Sequence, residues 1–411
     1  MQPIRYFELD ANGMRFVIPL AVMAGLILIG LGSAYYMEHH GHIVTGMNNQ
    51  IVWGTPHVFA IFLIVAASGA LNAASVASVF NQNAYKPLAR LSALVAIGLL
   101  VGGLAILVLD LGRPDRLTVA MSTYNFKSIF AWNIFLYNGF LAIVAVYIWL
   151  MMEPPMRRYS KIAGYAAFIW RLILTTGTGA IFGFIVAREA YDSAMLPPLF
   201  VIMSFAYGMA VFMLVLMGLF AWIERPIGDY LLRRLKNLLA VFVAAVLYFV
   251  AVFHITNFYA TEHHDFERFI LFGANGGGLY ATIFWTLHIL VGNIVPLVML
   301  LHPRWGMSRP LIAAACGLIL IGGISQLYVI LIGGQAFPLE MFPGKEIITS
   351  GFQDGRVAPY TPSLWEILLG IGGIGIALAA IWIGTKVLRF LPESLDDSLI
   401  DPHYRSRSST A

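Results

Sequence analysis

Charge is what this sequence has least of. Only 11% of its 411 residues are charged, whereas 59% are hydrophobic. That balance excludes a soluble domain of this length, gives no footing for nucleic acid, and indicates a chain that crosses a membrane many times. Cysteine is nearly absent as well: the single one is Cys316, inside an apolar run. One thiol cannot hold an iron–sulfur cluster, a c-type haem or an intrachain disulfide. If the protein handles electrons, it must borrow their carriers. Aspartate and glutamate are missing from the middle of every apolar run. A proton pump or channel ordinarily needs a carboxylate relay there, which argues against pumping by this chain alone. A short route of His, Tyr and water stays open. No cleavable signal pattern precedes the first apolar run; Arg5, Glu8, Asp10 and Arg15 lie there instead, so that run is expected to stay as an anchor.

What is present is a series of ten apolar runs, at about 16–37, 53–80, 88–109, 128–152, 162–187, 196–223, 237–260, 278–302, 310–334 and 363–390. About twenty apolar residues suffice to span a bilayer as a helix. The expected fold is therefore an all-α integral membrane protein with ten transmembrane helices in a single polytopic domain. No connection is long enough to be a soluble domain. The longest, 335–362, is rich in Gly and Pro and reads as an ordered surface loop. The segment 391–411 reads as a flexible cytoplasmic tail. No internal repeat is evident.

Orientation follows from Lys and Arg. Seventeen of the 25 fall on the side of the two termini, seven on the other, and Arg171 lies within span 5. Both termini are therefore predicted to be cytoplasmic. Three of the seven on the outer side, Arg113, Arg116 and Lys127, surround one stretch. That stretch is Leu109-Asp110-Leu111-Gly112-Arg113-Pro114-Asp115-Arg116, at the end of span 3. Gly112 and Pro114 stop the helix and hold two acids and two arginines at the interface, where Asp110 and Arg113 are expected to pair.

Other polar groups converge on the same level. Trp53, Gly54 and His57 open span 2. Tyr124, Asn125, Lys127 and Ser128 lead into span 4. Arg188, Glu189 and Asp192 close span 5. His254, Asn257 and Tyr259 close span 7, and Trp365 and Glu366 open span 10. Taken singly, each has a structural explanation: Trp and Tyr form interface belts, and charges at span ends snorkel. Together they suit a quinone pocket, which needs donors to two carbonyls, a proton-exchanging group and an apolar slot. Histidine as a residue type suits the proton step, since its ordinary pKa lies near neutrality, and His57 is the leading candidate. Deeper lie Arg171, His288 and Gln326. Arg171 is either functional or a packing device satisfied by carbonyls or by Asn72, Asn133 or Asn138. His57 and His254 lie at comparable levels, so a b-type haem is geometrically conceivable. No His pair recurs along one helix as a two-haem stack requires, and a b-type haem is not expected.

Four stretches carry a family resemblance: Trp53-Gly54, Asp110-Leu111-Gly112-Arg113-Pro114, Asn125-Phe126-Lys127-Ser128, and Pro362-Ser363-Leu364-Trp365-Glu366. The chain resembles the NrfD/PsrC family, the polysulfide reductase membrane subunits of respiratory iron–sulfur and molybdoenzyme complexes. Among the ten-span members it looks most like the DsrP type of the DsrMKJOP sulfur-metabolism complex. The resemblance implies two four-helix bundles plus two extra C-terminal helices. It implies menaquinone or ubiquinone as the carrier, held near Trp53, Asp110, Arg113, Tyr124 and Lys127, with His57 as a further candidate. Of these, His57, Asp110 and Tyr124 would take part in the chemistry, and no metal is held. It also implies a periplasmic ferredoxin-like iron–sulfur subunit on the outer face, with further cytochrome and membrane subunits, in the inner membrane of the cell.

The expected function is thus a non-autonomous quinone-interacting subunit of an oxidoreductase complex in dissimilatory sulfur metabolism. A hydrogenase or sulfite-oxidising molybdoenzyme subunit shares this plan. A transporter or passive anchor is the reading from another class. A transporter would need inverted repeats and broken helices, for which the glycines of span 10 (Gly370, Gly372, Gly373, Gly375) are the only hint.

Overall fold

Each apolar run forms a long helix in the computed structural model, which describes residues 5–339 and 355–401. Among the described residues there are ten: Met14–His40, Thr55–Ser78, Asn83–Leu109, Ile129–Met152, Pro154–Gly183, Leu196–Trp222, Asp229–Tyr259, Gly278–Leu301, Arg309–Ala336 and Leu364–Val387, spans 1 to 10 in order. The shortest have 24 residues and the longest 31, or about 36 and 46 Å at 1.5 Å per residue. A bilayer's hydrocarbon core is about 30 Å thick. The helices therefore tilt or carry their ends beyond the hydrocarbon, which is where the polar residues gather.

Spans 2 to 5 pack as one set of neighbours and spans 6 to 9 as another, joined where span 2 meets spans 6 and 9 and span 5 meets span 6. Span 2 is buried along nearly its whole length, while span 1 faces outward over most of its own. The grouping differs from the expectation of two extra C-terminal helices. Span 9 belongs to the second set, and spans 1 and 10 pair with each other and lie against spans 2 and 3. Span 10 is one continuous helix. Its glycines do not break it; they admit span 1, and a Cβ built on Gly372 would stand 2.6 Å from the Gly30 α-carbon. Small residues at such crossings let backbones approach without a hydrophobic drive.

Span 2 is interrupted at Leu71, between Thr55–Ala70 and Asn72–Ser78. Carbonyls freed inside a membrane must find other partners. The Ser92 hydroxyl of span 3 donates to the Ala70 carbonyl at 2.7 Å. Arg171 of span 5 donates to the Ser68 carbonyl at 3.0 Å and to Asn72 Oδ1 at 2.6 Å. Its guanidinium lies 5.1 Å from the rings of both Phe168 and Phe205. Arg171 is thus held by Asn72 and a carbonyl; Asn133 and Asn138 bond elsewhere.

The two chain ends close on one another. Tyr6–Phe7 and Leu391–Pro392 form a small antiparallel pair. The following residues are not a loose tail. Leu395 and Ile400 are buried, and Asp397 Oδ1 accepts from the Tyr230 N–H at 3.0 Å. An apolar residue every four or five positions anchors what was expected to be flexible; residues 402–411, and residues 340–354 of the long loop, lie outside the described residues.

Candidate functional site

Asp110 is the last residue before the chain leaves span 3, and its N–H still bonds the Ile106 carbonyl. The side chain turns inward and is almost fully buried. Two histidines flank it. His57 Nδ1, from the first turn of span 2, lies 3.0 Å from Oδ2. His42 Nε2, from the short turn His42–Val44 after span 1, lies 3.4 Å from Oδ1. Three separate segments thus meet on one carboxylate. Each imidazole takes one of the two carboxylate oxygens, and the acid is held between them in a buried place.

The electrostatics agree with the geometry. The Asp110 contact, opposed by partial burial, raises the His42 pKa above its ordinary value. Burial alone would raise the Asp110 carboxyl, but the two histidines outweigh it and hold the group below the usual carboxylate range. Gly112 has φ +68°, and a Cβ there would meet the His42 ring at 3.1 Å. Only glycine combines that left-handed backbone with that proximity.

The expected Asp110–Arg113 pair does not form. Arg113 is exposed and grips Asp115 with both arms, Nε to Oδ1 and Nη2 to Oδ2 at 3.0 Å each. The left-handed Gly112 turns the chain outward, and the acid two residues on captures the guanidinium. Tyr124 also stands apart: its ring packs on Phe135 and Phe126 at 4.5 and 6.1 Å. Lys127 is exposed. Among the described residues neither has a hydrogen bond or ion pair to Asp110. Trp53 packs against Phe130, Phe182 and Tyr191. Its backbone N–H donates to the Gln335 side-chain oxygen at 3.0 Å, which ties the start of span 2 to the end of span 9. Arg188 joins the same knot through the carbonyls of Gln335 and Gln50, at 3.1 Å each.

Gly54 owes its place to span 10. A Cβ on it would lie 2.4 Å from Glu366 Oε1. Glu366 itself is fully committed: it accepts from the Tyr360 hydroxyl at 2.6 Å, the Gly46 N–H at 2.9 Å and the Ser363 N–H at 2.7 Å. With Ser363 it forms a reciprocal cap on span 10. Tyr360 also accepts from the Thr55 N–H at 2.6 Å. Glu366 therefore fastens span 10 to the mouth of span 2.

Beside Leu109 a small apolar cleft of about 10 Å³ lies between spans 1, 3 and 10, lined by Ile27, Leu31, Ile106, Leu109, Leu369 and Ile376, with neither Asp110 nor its histidines in the lining; it has less room than a single water needs. His42 was not foreseen as part of this site. It is the third histidine of His39-His40-Gly41-His42, and that clustering at a span end was the available signal.

A second acid–histidine pair occupies the other helix set at the same level. His254 Nδ1 lies 2.7 Å from Glu267 Oε2, and Asn257 donates to Oε1 at 2.8 Å. His254 borders a cavity of about 30 Å³ that reaches Gln326, room for a water. The Tyr207 hydroxyl donates to Gln326. His288, in a π-helical stretch of span 8, is buried with Nε2 unpartnered.

Comparison with known sequences bears on this arrangement. The family described as Polysulphide reductase, NrfD matches residues 43–339. An Hdr-like menaquinol oxidoreductase integral membrane subunit of Archaeoglobus fulgidus is 26% identical over 400 residues, covering 97% of this chain and 99% of that protein. A selenate reductase subunit of Mesobacillus selenatarsenatis is 24% identical, the match covering 89% of this chain and 92% of that protein. A polysulfide reductase chain of Wolinella succinogenes is 24% identical, the match covering 70% of this chain and 96% of that protein.

Proposed function

Because the chain belongs to the polysulphide reductase NrfD family, we propose that it is the quinone-reactive membrane subunit of a respiratory oxidoreductase complex. In this reading it exchanges electrons between the membrane quinone pool and an iron–sulfur subunit docked on the face that carries Asp110. That face is periplasmic, as the Lys and Arg distribution indicates. Relatives named as menaquinol oxidoreductase, selenate reductase and polysulfide reductase subunits support the class. The polysulfide reductase relative favours a role in sulfur metabolism, with menaquinone or ubiquinone as the carrier.

The observation that carries the reading is the buried Asp110 carboxylate held between His42 and His57 at the end of span 3. A buried carboxylate between two imidazoles supplies the hydrogen-bonding and proton-exchanging groups that a ring bearing two carbonyls needs. A quinone bound there would supply two-electron, two-proton chemistry. Asp110 orients both imidazoles and favours the protonated form of His42. His57 has Nδ1 on Asp110 and Nε2 without a protein partner among the described residues, so Nε2 accepts or returns a proton at the carrier. His42 is more exposed and connects that proton to water. Trp53 packs on Phe130 of span 4, and Lys127 and Arg113 present positive charge to the docked subunit.

The test is quinol-dependent electron transfer in the purified complex. His57→Gln and Asp110→Asn are each expected to lower it by roughly 10²-fold, the range lost with a general acid–base group, while Arg113→Gln leaves it within about twofold. Unchanged turnover and unchanged binding of a quinol-site inhibitor in both variants would refute the assignment and leave the passive-anchor reading.

A further inference from the structure

The face opposite Asp110 holds a cavity of about 390 Å³ that the redox reading does not use. Span 3 separates the two: its first turns carry Lys86 and Arg90, and its far end carries Asp110. The walls come from the ends of spans 2, 3, 4 and 5. Four of the lining residues are cations, Lys86, Arg90, Arg157 and Lys161; hydroxyls of Tyr6, Ser78, Tyr147 and Ser160 stand among them, and no acid lines the cavity among the described residues.

The site is built. Arg90 is more than nine-tenths buried, yet its guanidinium is fixed by the carbonyls of Arg389 at 3.0 Å and Met151 at 2.6 Å and lies 4.0 Å from the Tyr6 ring centre. It has no carboxylate partner among the described residues. Glu8, the acid beside Tyr6, reaches Arg389 instead, at 3.5 Å. Lys86, Arg157 and Lys161 are exposed and form no ion pair among the described residues. Cations gathered round a cavity repel one another unless an anion sits between them. Exposed aromatic side chains stand close in sequence to the lining, Phe80, Trp149, Tyr159 and Tyr165, of the kind that gathers at a membrane interface.

We propose that this cavity binds a phosphate group at the level of the lipid headgroups. Lys86, Arg157 and Lys161 supply the attraction, and Arg90 with the tyrosine and serine hydroxyls forms the polar floor. Basic pockets between spans match anionic phospholipids, whose phosphate enters while the acyl chains lie along the outer aromatic face. Inorganic phosphate shares the headgroup chemistry, and the experiment separates the two.

The full chain, purified with its accompanying subunits, is titrated with cardiolipin, with phosphatidylcholine and with inorganic phosphate, and thermal stability is read. Cardiolipin is expected to raise Tm, phosphatidylcholine not. In Arg157→Gln/Lys161→Gln the cardiolipin affinity is expected to fall roughly 30-fold, as removal of two headgroup-facing cations implies. An equal rise with inorganic phosphate supports the site with a soluble anion as its occupant. If the variant does not fold, native mass spectrometry of the unmodified protein decides: cardiolipin retained at one copy over phosphatidylcholine supports the site. Equal retention of the two lipids, or a cardiolipin response unaltered in the double variant, overturns the proposal.

Discussion

At the scale of the residue, the site turns on which partner Asp110 takes. Arg113 stands three positions away and is always charged; His42 and His57 are distant in sequence. The nearer and stronger cation loses. A left-handed Gly112 and a well-placed Asp115 take it away, and both losses are geometric. The motif therefore located Asp110 but could not show its partners, since proximity in sequence stood in for proximity in space. The pair leaves a pH signature. The raised His42 pKa means its contribution is complete below the unfolded value of about 6.5 and is lost as pH climbs through the raised folded value. The depressed Asp110 pKa means its contribution is present above about 3.9 and disappears only as pH falls through the lower folded value. The difference in Tm between the unmodified protein and His42→Gln should accordingly be largest near pH 5–6, bracketed by those reference values, and shrink toward pH 9. A difference that stays constant over that range would show that the two groups are not electrostatically coupled.

At the scale of the element, helix breaks and their splints matter more than helix count. Apolar run lengths made all ten helices legible, because twenty residues of low charge have few other fates. The interruption at Leu71 was not legible: Gly69-Ala70-Leu71-Asn72 contains no proline and no charge. Its partner was visible as a buried arginine of undecided role, and the structure gives Arg171 a packing task through Ser68 and Asn72. Arg171→Met should cost about 2–4 kcal/mol, since two acceptors in a dry interior lose their donor. Arg171→Lys should recover little, because an ammonium cannot reproduce a planar fork between two aromatic rings. Thermal unfolding of the purified complex checks both, and full stability in Arg171→Met would remove the splint from the account. The ordered segment around Leu395 and Ile400 was overlooked for a related reason: three or four apolar anchors among polar residues resemble a tail until the surface they cover is known.

At the scale of the whole molecule, the two four-span sets frame a shared core and the first and last spans lie together on one flank. An even number of spans puts both ends on one side, and seventeen of 25 basic residues argue that this side is cytoplasmic. A fluorescent protein fused after Ala411 should therefore light up, while a periplasm-dependent phosphatase at the same point should stay inactive; the reverse result would invert every assignment of face. The pairing of spans 1 and 10 has an outcome in time as well as in space. During synthesis span 1 enters the bilayer nine helices before its partner exists, so the cleft between spans 1 and 3 has no third wall until the ribosome has delivered Leu369 and Ile376. A half-made polypeptide thus leaves the flank of span 3 uncovered, and the Asp110 end of the molecule is completed only when the last span has been inserted.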